Sequence, residues 1–237
     1  GSVGLYSLPA ATVTTTASGV CPGTSATISS GLVAGNFTAS CITPAPRSIP
    51  ANATYLVNNG VANVTQASGG LDDGGWSNIP IGFSFNFFGT AYSTLNVGTN
   101  GVLQMGAYNS TALGDFTIGA LPNTSDPKSA IFMASHDWDA AYTGDYIAYW
   151  TEGYAPNRRF VIEYNVHKYS SSPSTNTQVN NMQAIIYETL GTIEIVGKST
   201  SSTSGKTIGV NSPDGTVGAA APNCAVTPNT ANYWQAQ

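Results

Sequence analysis

Charge is what this sequence has least of. Only 8% of its 237 residues are Asp, Glu, Lys or Arg, against about 25% in an ordinary soluble protein. Seven scattered cations cannot supply the basic patch that a general nucleic-acid binder needs. Long apolar runs are missing as well. No stretch reaches the ~18 residues that would span a bilayer, so membrane insertion is excluded for helices. Histidine is reduced to His136 and His167, and glutamate to Glu152, Glu163, Glu188 and Glu194, which leaves acid–base chemistry few carriers. Cysteine occurs three times, at Cys21, Cys41 and Cys224, too dispersed for a metal-ligand set. In an oxidising compartment the natural pair is Cys21 with Cys41, closing a loop of ~20 residues worth roughly 3 kcal/mol. Cys224 is then free or pairs with another chain. Pairing Cys224 with Cys21 or Cys41 would instead staple the two ends together, and the spacing does not choose among the three pairings.

Hydroxyls and amides fill the space that charge leaves. Ser and Thr make up about a fifth of the chain, and Gly alone contributes 26 residues. Thr favours strands, while Gly, Asn and Ser favour turns. Lys and Glu, the usual residues of exposed helix faces, are nearly absent. This composition predicts an all-β protein and suits life outside the cell. Gly1 opens the chain without Met or a secretory leader, as expected of a processed end, an excised domain or a Gly-Ser cloning scar.

Strand signals recur from end to end. Residues 12–17 form a Thr-rich extended run, with short candidates at 25–29 and 37–42. The Pro-marked stretch Pro44-Ala-Pro-Arg-Ser-Ile-Pro50 cannot lie inside a sheet and predicts a linker or an edge crossing. Candidates at 54–57 and 62–66 are joined by Asn58-Asn59-Gly60, a good hairpin turn. The clearest segment spans 79–105: Phe83, Phe85 and Phe87 alternate with Ser84 and Asn86, placing three rings on one face. The turn Asn100-Gly101 follows 92–97, and 102–105 returns. A short buried run at 130–134 ends in His136-Asp137-Trp138-Asp139. Further strands at 146–151, 159–168, 179–188, 192–196 and 206–210 complete a meander. No window shows a convincing helical period. The expected architecture is an antiparallel β-sandwich.

These segments resemble nidogen-like domains. The resemblance is carried by Ile79-Pro-Ile-Gly-Phe-Ser-Phe-Asn-Phe-Phe-Gly-Thr-Ala-Tyr and the later turn Thr99-Asn100-Gly101. It continues through the Trp-x-Asp segment ending at Asp139, then Tyr146-Ile-Ala-Tyr-Trp150, Asn157-Arg-Arg-Phe-Val-Ile-Glu-Tyr164 and Ala184-Ile-Ile-Tyr-Glu188. It closes with Thr192-Ile-Glu-Ile-Val196 and Thr207-Ile-Gly-Val-Asn211. It covers about residues 70–215. The wording is closest to secreted surface proteins of Bacteroidetes-type bacteria, often exported by the type IX pathway, although no type IX sorting domain is recognisable at the C-terminus. The resemblance implies a nidogen-like, jelly-roll-like sandwich over 51–237. Residues 1–50 then form extra N-terminal strands or part of an Ig-like unit, and can be exchanged between subunits.

Chemistry has little to work with. His136 could be written into a Ser-His-Asp arrangement with Asp137 or Asp139, but no Gly-x-Ser-x-Gly elbow accompanies it. Glu163 and Glu188 are the candidates for a glycosidase pair, which requires two carboxyls about 5–9 Å apart over a groove. The plainer reading makes such glutamates solvent-facing strand positions matched with Arg158, Arg159 or Lys198. Calcium is the one cofactor the pattern admits, at Asp137, Asp139 and Asp145 around one loop, with Asp72-Asp73-Gly74 as another acidic turn. The plainer alternative is that these Asp residues bond their own turns. Trp76, Trp138, Tyr142 and Trp234 are the rings available for sugar stacking, with core burial the simpler expectation for Trp138. Five sequons, at Asn36, Asn52, Asn63, Asn109 and Asn123, mark exposed loops.

The expectation is therefore a non-enzymatic extracellular or cell-surface protein, structural or adhesive. Its partners would be identical subunits, as in a filament built by strand addition through residues 1–17, or neighbouring domains of a larger surface protein. A carbohydrate-binding module is the alternative.

Overall fold

The structure, a computed structural model, describes residues 37, 39–40, 45–200, 206–220 and 232–236. The residues from Gly35 to Gln237 form one compact unit. Cys21, Cys41, Cys224 and residues 1–17 lie outside the described residues. In chain order the strands are β1 (Ala39–Ser40), β2 (Thr54–Asn58), β3 (Val61–Ala62), β4 (Gly75–Phe87) and β5 (Thr90–Gly98). After β6 (Val102–Met105) comes the single-turn helix α1 (Ser110–Leu113), then β7 (Ala130–Ser135), β8 (Trp138–Asp139), β9 (Tyr146–Glu152) and β10 (Arg159–Lys168). The last are β11 (Val179–Tyr187), β12 (Ile193–Thr200), β13 (Thr207–Asn211), β14 (Gly218–Ala220) and β15 (Asn232–Ala236).

Among the described residues these strands form two sheets. One has nine strands in the order β1-β15-β12-β11-β10-β9-β2-β3, with β8 attached to β10; the other has six, in the order β14-β13-β7-β6-β5-β4. Every ladder is antiparallel. The architecture is an all-β sandwich.

Period-two patterning explains the core. Along β4, Ile79, Ile81, Phe83, Phe85 and Phe87 are buried while Pro80, Gly82, Ser84 and Asn86 are exposed. Phe160, Ile162, Tyr164 and Val166 of β10 point into the same cluster. Each such side chain contributes roughly 1.5–3 kcal/mol by leaving water. The Tyr164 hydroxyl crosses between the layers and donates to the Gly98 carbonyl of β5 at 2.7 Å.

Two features complete the sandwich. Residues 81–84 slip off the β4–β5 ladder, between the pairs Pro80–Thr94 and Phe85–Tyr92. The other sheet takes up the freed carbonyls: Thr151 Oγ1 donates to Ile81 O at 2.8 Å and Arg158 Nη1 to Gly82 O at 2.6 Å. Gly82 has φ +89°, and a Cβ there would meet Thr151 Oγ1 at 2.8 Å, so the close approach requires glycine. Capping these carbonyls also blunts an edge strand that would otherwise invite a foreign strand.

The second feature is the Pro-rich segment expected as a linker or edge crossing. It crosses a sheet face instead. Gln183 of β11 holds it through a two-way amide contact, Arg47 N donating to Gln183 Oε1 at 2.8 Å and Gln183 Nε2 to Arg47 O at 2.6 Å. Ile49 and Ala53 then pack on Trp150, Val161, Ile185 and Val196, a second apolar cluster on the outer side of the nine-stranded sheet. Strands apolar on both faces, such as Phe160-Val161-Ile162, are thereby explained.

Candidate functional site

Two acidic turns far apart in sequence meet at one end of the sandwich. Asp72, Asp73 and Asp137 each bring a carboxylate oxygen within 4.8 Å of the others. The bracket that joins them is the turn Thr99-Asn100-Gly101 after β5. Thr99 Oγ1 accepts from Gly74 N at 2.9 Å and donates to the Asp72 carbonyl. Asn100 Nδ2 donates to Asp73 Oδ1 at 2.9 Å, and Asn100 Oδ1 accepts from Trp138 N at 2.8 Å. One carboxamide thus spans both acidic turns. Thr99 and Asn100 are fully buried, as polar residues can be when every group is bonded.

The electrostatics follow from crowding like charges in a half-closed place. Burial first, then Asp73, Asp139 and Asp137, push the Asp72 carboxyl up to about 6. Asp137 is raised too, chiefly by burial and then by Asp73. Burial holds the His136 imidazole below its usual range. Asp72 Oδ1 is closed to solvent and has no hydrogen-bond partner. Carboxylates so arranged are the oxygen donors that a hard cation such as calcium takes. Asp139 contributes charge to this group while its Oδ1 accepts from Ala141 N at 2.9 Å.

Asp145, grouped by sequence with Asp137 and Asp139, stands apart. It is fully buried and accepts from the His167 ring at 2.7 Å, from His167 N at 3.3 Å and from Tyr142 N at 3.4 Å. Tyr142 stacks on the His167 ring with centroids 4.3 Å apart and planes at 17°. This is a clamp on the loop before β9, and the reason is local: β8 pairs with β10 through Asp139–His167, which carries the following loop over His167.

The glutamates are engaged by cations or hydrogen bonds. Glu188 holds Arg158 through both oxygens, at 2.5 and 2.8 Å. Glu152 faces Arg47 at 3.3 Å and Arg159 at 3.4 Å. Glu194 bonds the Tyr187 hydroxyl, and burial raises its carboxyl. Glu163, fully buried, lies 2.7 Å from Lys198 Nζ and accepts from Tyr146, Asn181 and Gln183. Glu163 and Glu188 therefore each carry a cationic partner, but Glu163 is fully buried and not at the solvent-facing strand position that the plainer reading expects.

Two of the rings proposed for sugar stacking, Trp76 and Trp138, need correction. Trp76 and Trp138 are 1% and 0% exposed, so neither face is open to a ligand. Tyr142 is half-buried against His167, and nothing is described of the Trp234 side chain. Among the described residues the most exposed ring is Tyr154, at 90% on the β9–β10 turn. Sequence reasoning missed Asn100 as the bracket; its one signal was the Thr-Asn-Gly turn itself, read only as a reversal.

No helix among the described residues is long and apolar enough to cross a membrane. A family model described as NIDO related matches residues 49–236. No curated protein and no solved structure matches the chain.

Proposed function

Because this chain belongs to the NIDO-related family, we propose that it serves outside the cell as a non-catalytic structural or adhesive module. The observation that supports this most is the employment of its glutamates. Glu152, Glu163 and Glu188 are held by Arg47, Arg159, Lys198 and Arg158, and Glu194 by Tyr187. A glycosidase pair needs one carboxyl held protonated and another free to attack or to activate water; here the carboxylates brace strands. The setting we favour is the surface of a Bacteroidetes-type bacterium reached by type IX export.

In its sharper form the module is a filament subunit, with residues 1–17 added as a strand to a neighbouring copy. Electron microscopy and light scattering on the purified chain test this against a chain lacking residues 1–17. Rods that vanish on truncation, leaving a folded monomer, support the filament. A monomer in both cases that retains a polysaccharide on pull-down overturns it in favour of the carbohydrate-binding alternative.

Calcium is the ligand that the acidic loop end favours. The motive is Asp72 Oδ1, closed off and unbonded beside Asp73 and Asp137. A bound cation would offset both the burial and the neighbouring charges that raise Asp72 and Asp137 and would lock the two acidic turns together.

A further inference from the structure

Asn180 lies on β11 directly opposite Val166 of β10. Opposed residues in an antiparallel pair share a face, so Asn180 points with Val166 into the space between the sheets, and it is 2% exposed. Lys206 immediately precedes β13 of the other sheet. Its Nζ sits over the Trp138 ring, 5.4 Å from the centroid, and donates to Asn180 Oδ1 at 2.5 Å. A primary amine and a carboxamide from opposite layers thus meet beside a buried indole. Burial lowers the Lys206 ammonium to about 8. At pH 7 about a tenth of such amines are neutral, against fewer than about one in a thousand for an ordinary lysine.

We propose that Lys206 and Asn180 are the partners of an intramolecular isopeptide cross-link. Lys206 first loses its ammonium proton to solvent. The neutral Nζ then brings its electron pair to Cγ of Asn180, and the Nζ–Cγ bond forms. A proton passes from Nζ to Nδ2, the Cγ–Nδ2 bond breaks, and ammonia leaves. The product is a secondary amide, balanced without oxidant, reductant or co-reactant. Proximity drives the step: both groups are already in contact, so the bimolecular cost of acylating an amine is removed. The product also replaces a desolvated cation by a neutral amide, which the interlayer space accommodates at lower cost. Its effect is a covalent staple from β11 of the nine-stranded sheet to the start of β13 in the six-stranded one.

The test is tandem mass spectrometry on the purified full chain, reduced and digested with trypsin. The expected result is a branched peptide joining Asn180 to Lys206, uncleaved after Lys206, with an intact mass lower by one ammonia than the sequence requires. Lys206→Met and Asn180→Ala each restore the full mass. Two results overturn the proposal: separate linear peptides with cleavage after Lys206, or an ammonia loss confined to Asn180 as a cyclic imide with Asn181. The wild-type digest decides even where a variant fails to fold.

Discussion

The Tyr164 hydroxyl reaches 2.7 Å from the Gly98 carbonyl, so a strand of one sheet bonds the backbone of the other through the middle of the core. Burial pushes this phenol far above its ordinary range, and it stays a donor at any physiological pH. Tyr164→Phe leaves the Gly98 carbonyl with only the longer bond from Gly101 N, at 3.3 Å. The expected loss is about 0.5–1.5 kcal/mol, measured by urea unfolding. An unchanged midpoint would mean that the contact carries no load.

Glu163 supplies a larger effect. Replacing it by Ala strands the Lys198 ammonium among Tyr146, Asn181 and Gln183, the donors that surround the carboxylate. The carboxylate is fully buried but the ammonium left behind is 29% exposed, so the loss is about 1.5–3 kcal/mol. The double variant Glu163→Ala with Lys198→Met should recover part of that loss, because the orphaned charge goes with it. Equal destabilisation by the single and double variants would contradict the pairing.

At the acidic end the sign runs the other way. Asp72 titrates at about 6 in the folded chain and near 3.8 when free, so the folded state binds the extra proton between those values. Stability is therefore fullest below about 4 and falls as the pH climbs to about 6. Asp72→Asn removes this slope. Above pH 6 the variant should be the more stable, by on the order of 1 kcal/mol after solvent screening. Unfolding midpoints of the two proteins from pH 4 to 7 give the comparison, and parallel curves would count against the crowded-carboxylate picture.

Calcium should reverse that repulsion. Added calcium is expected to raise the thermal midpoint of the parent, a chelator to lower it again, and Asp137→Asn to abolish the response. A midpoint indifferent to calcium in the parent protein would remove calcium from the account.

Much of the sandwich was legible in the residues. The Phe83-Phe85-Phe87 alternation could be seen because a half-buried strand has period two and aromatic rings declare which face is inside. Asn58-Asn59-Gly60 could be seen because positive φ at Asn59 and Gly60 has a residue signature. The meeting of Asp72 with Asp137 was not legible: they lie in separate turns, and their neighbourhood is made by the Asn100 carboxamide, which leaves no periodicity. The resting place of residues 45–50 was hidden for the same reason. Proline shows where a segment cannot go, whereas its position over the sheet depends on Gln183, 136 residues from Arg47. Asp145 was grouped by proximity in sequence, but β8–β10 pairing carried it to His167.

The most direct test of the central claim compares Glu163→Gln and Glu188→Gln with the parent, measuring polysaccharide hydrolysis and unfolding midpoint on the same samples. The account predicts lower midpoints in the variants and no turnover in any of the three. Turnover by the parent that disappears in a variant with an unchanged midpoint would contradict it.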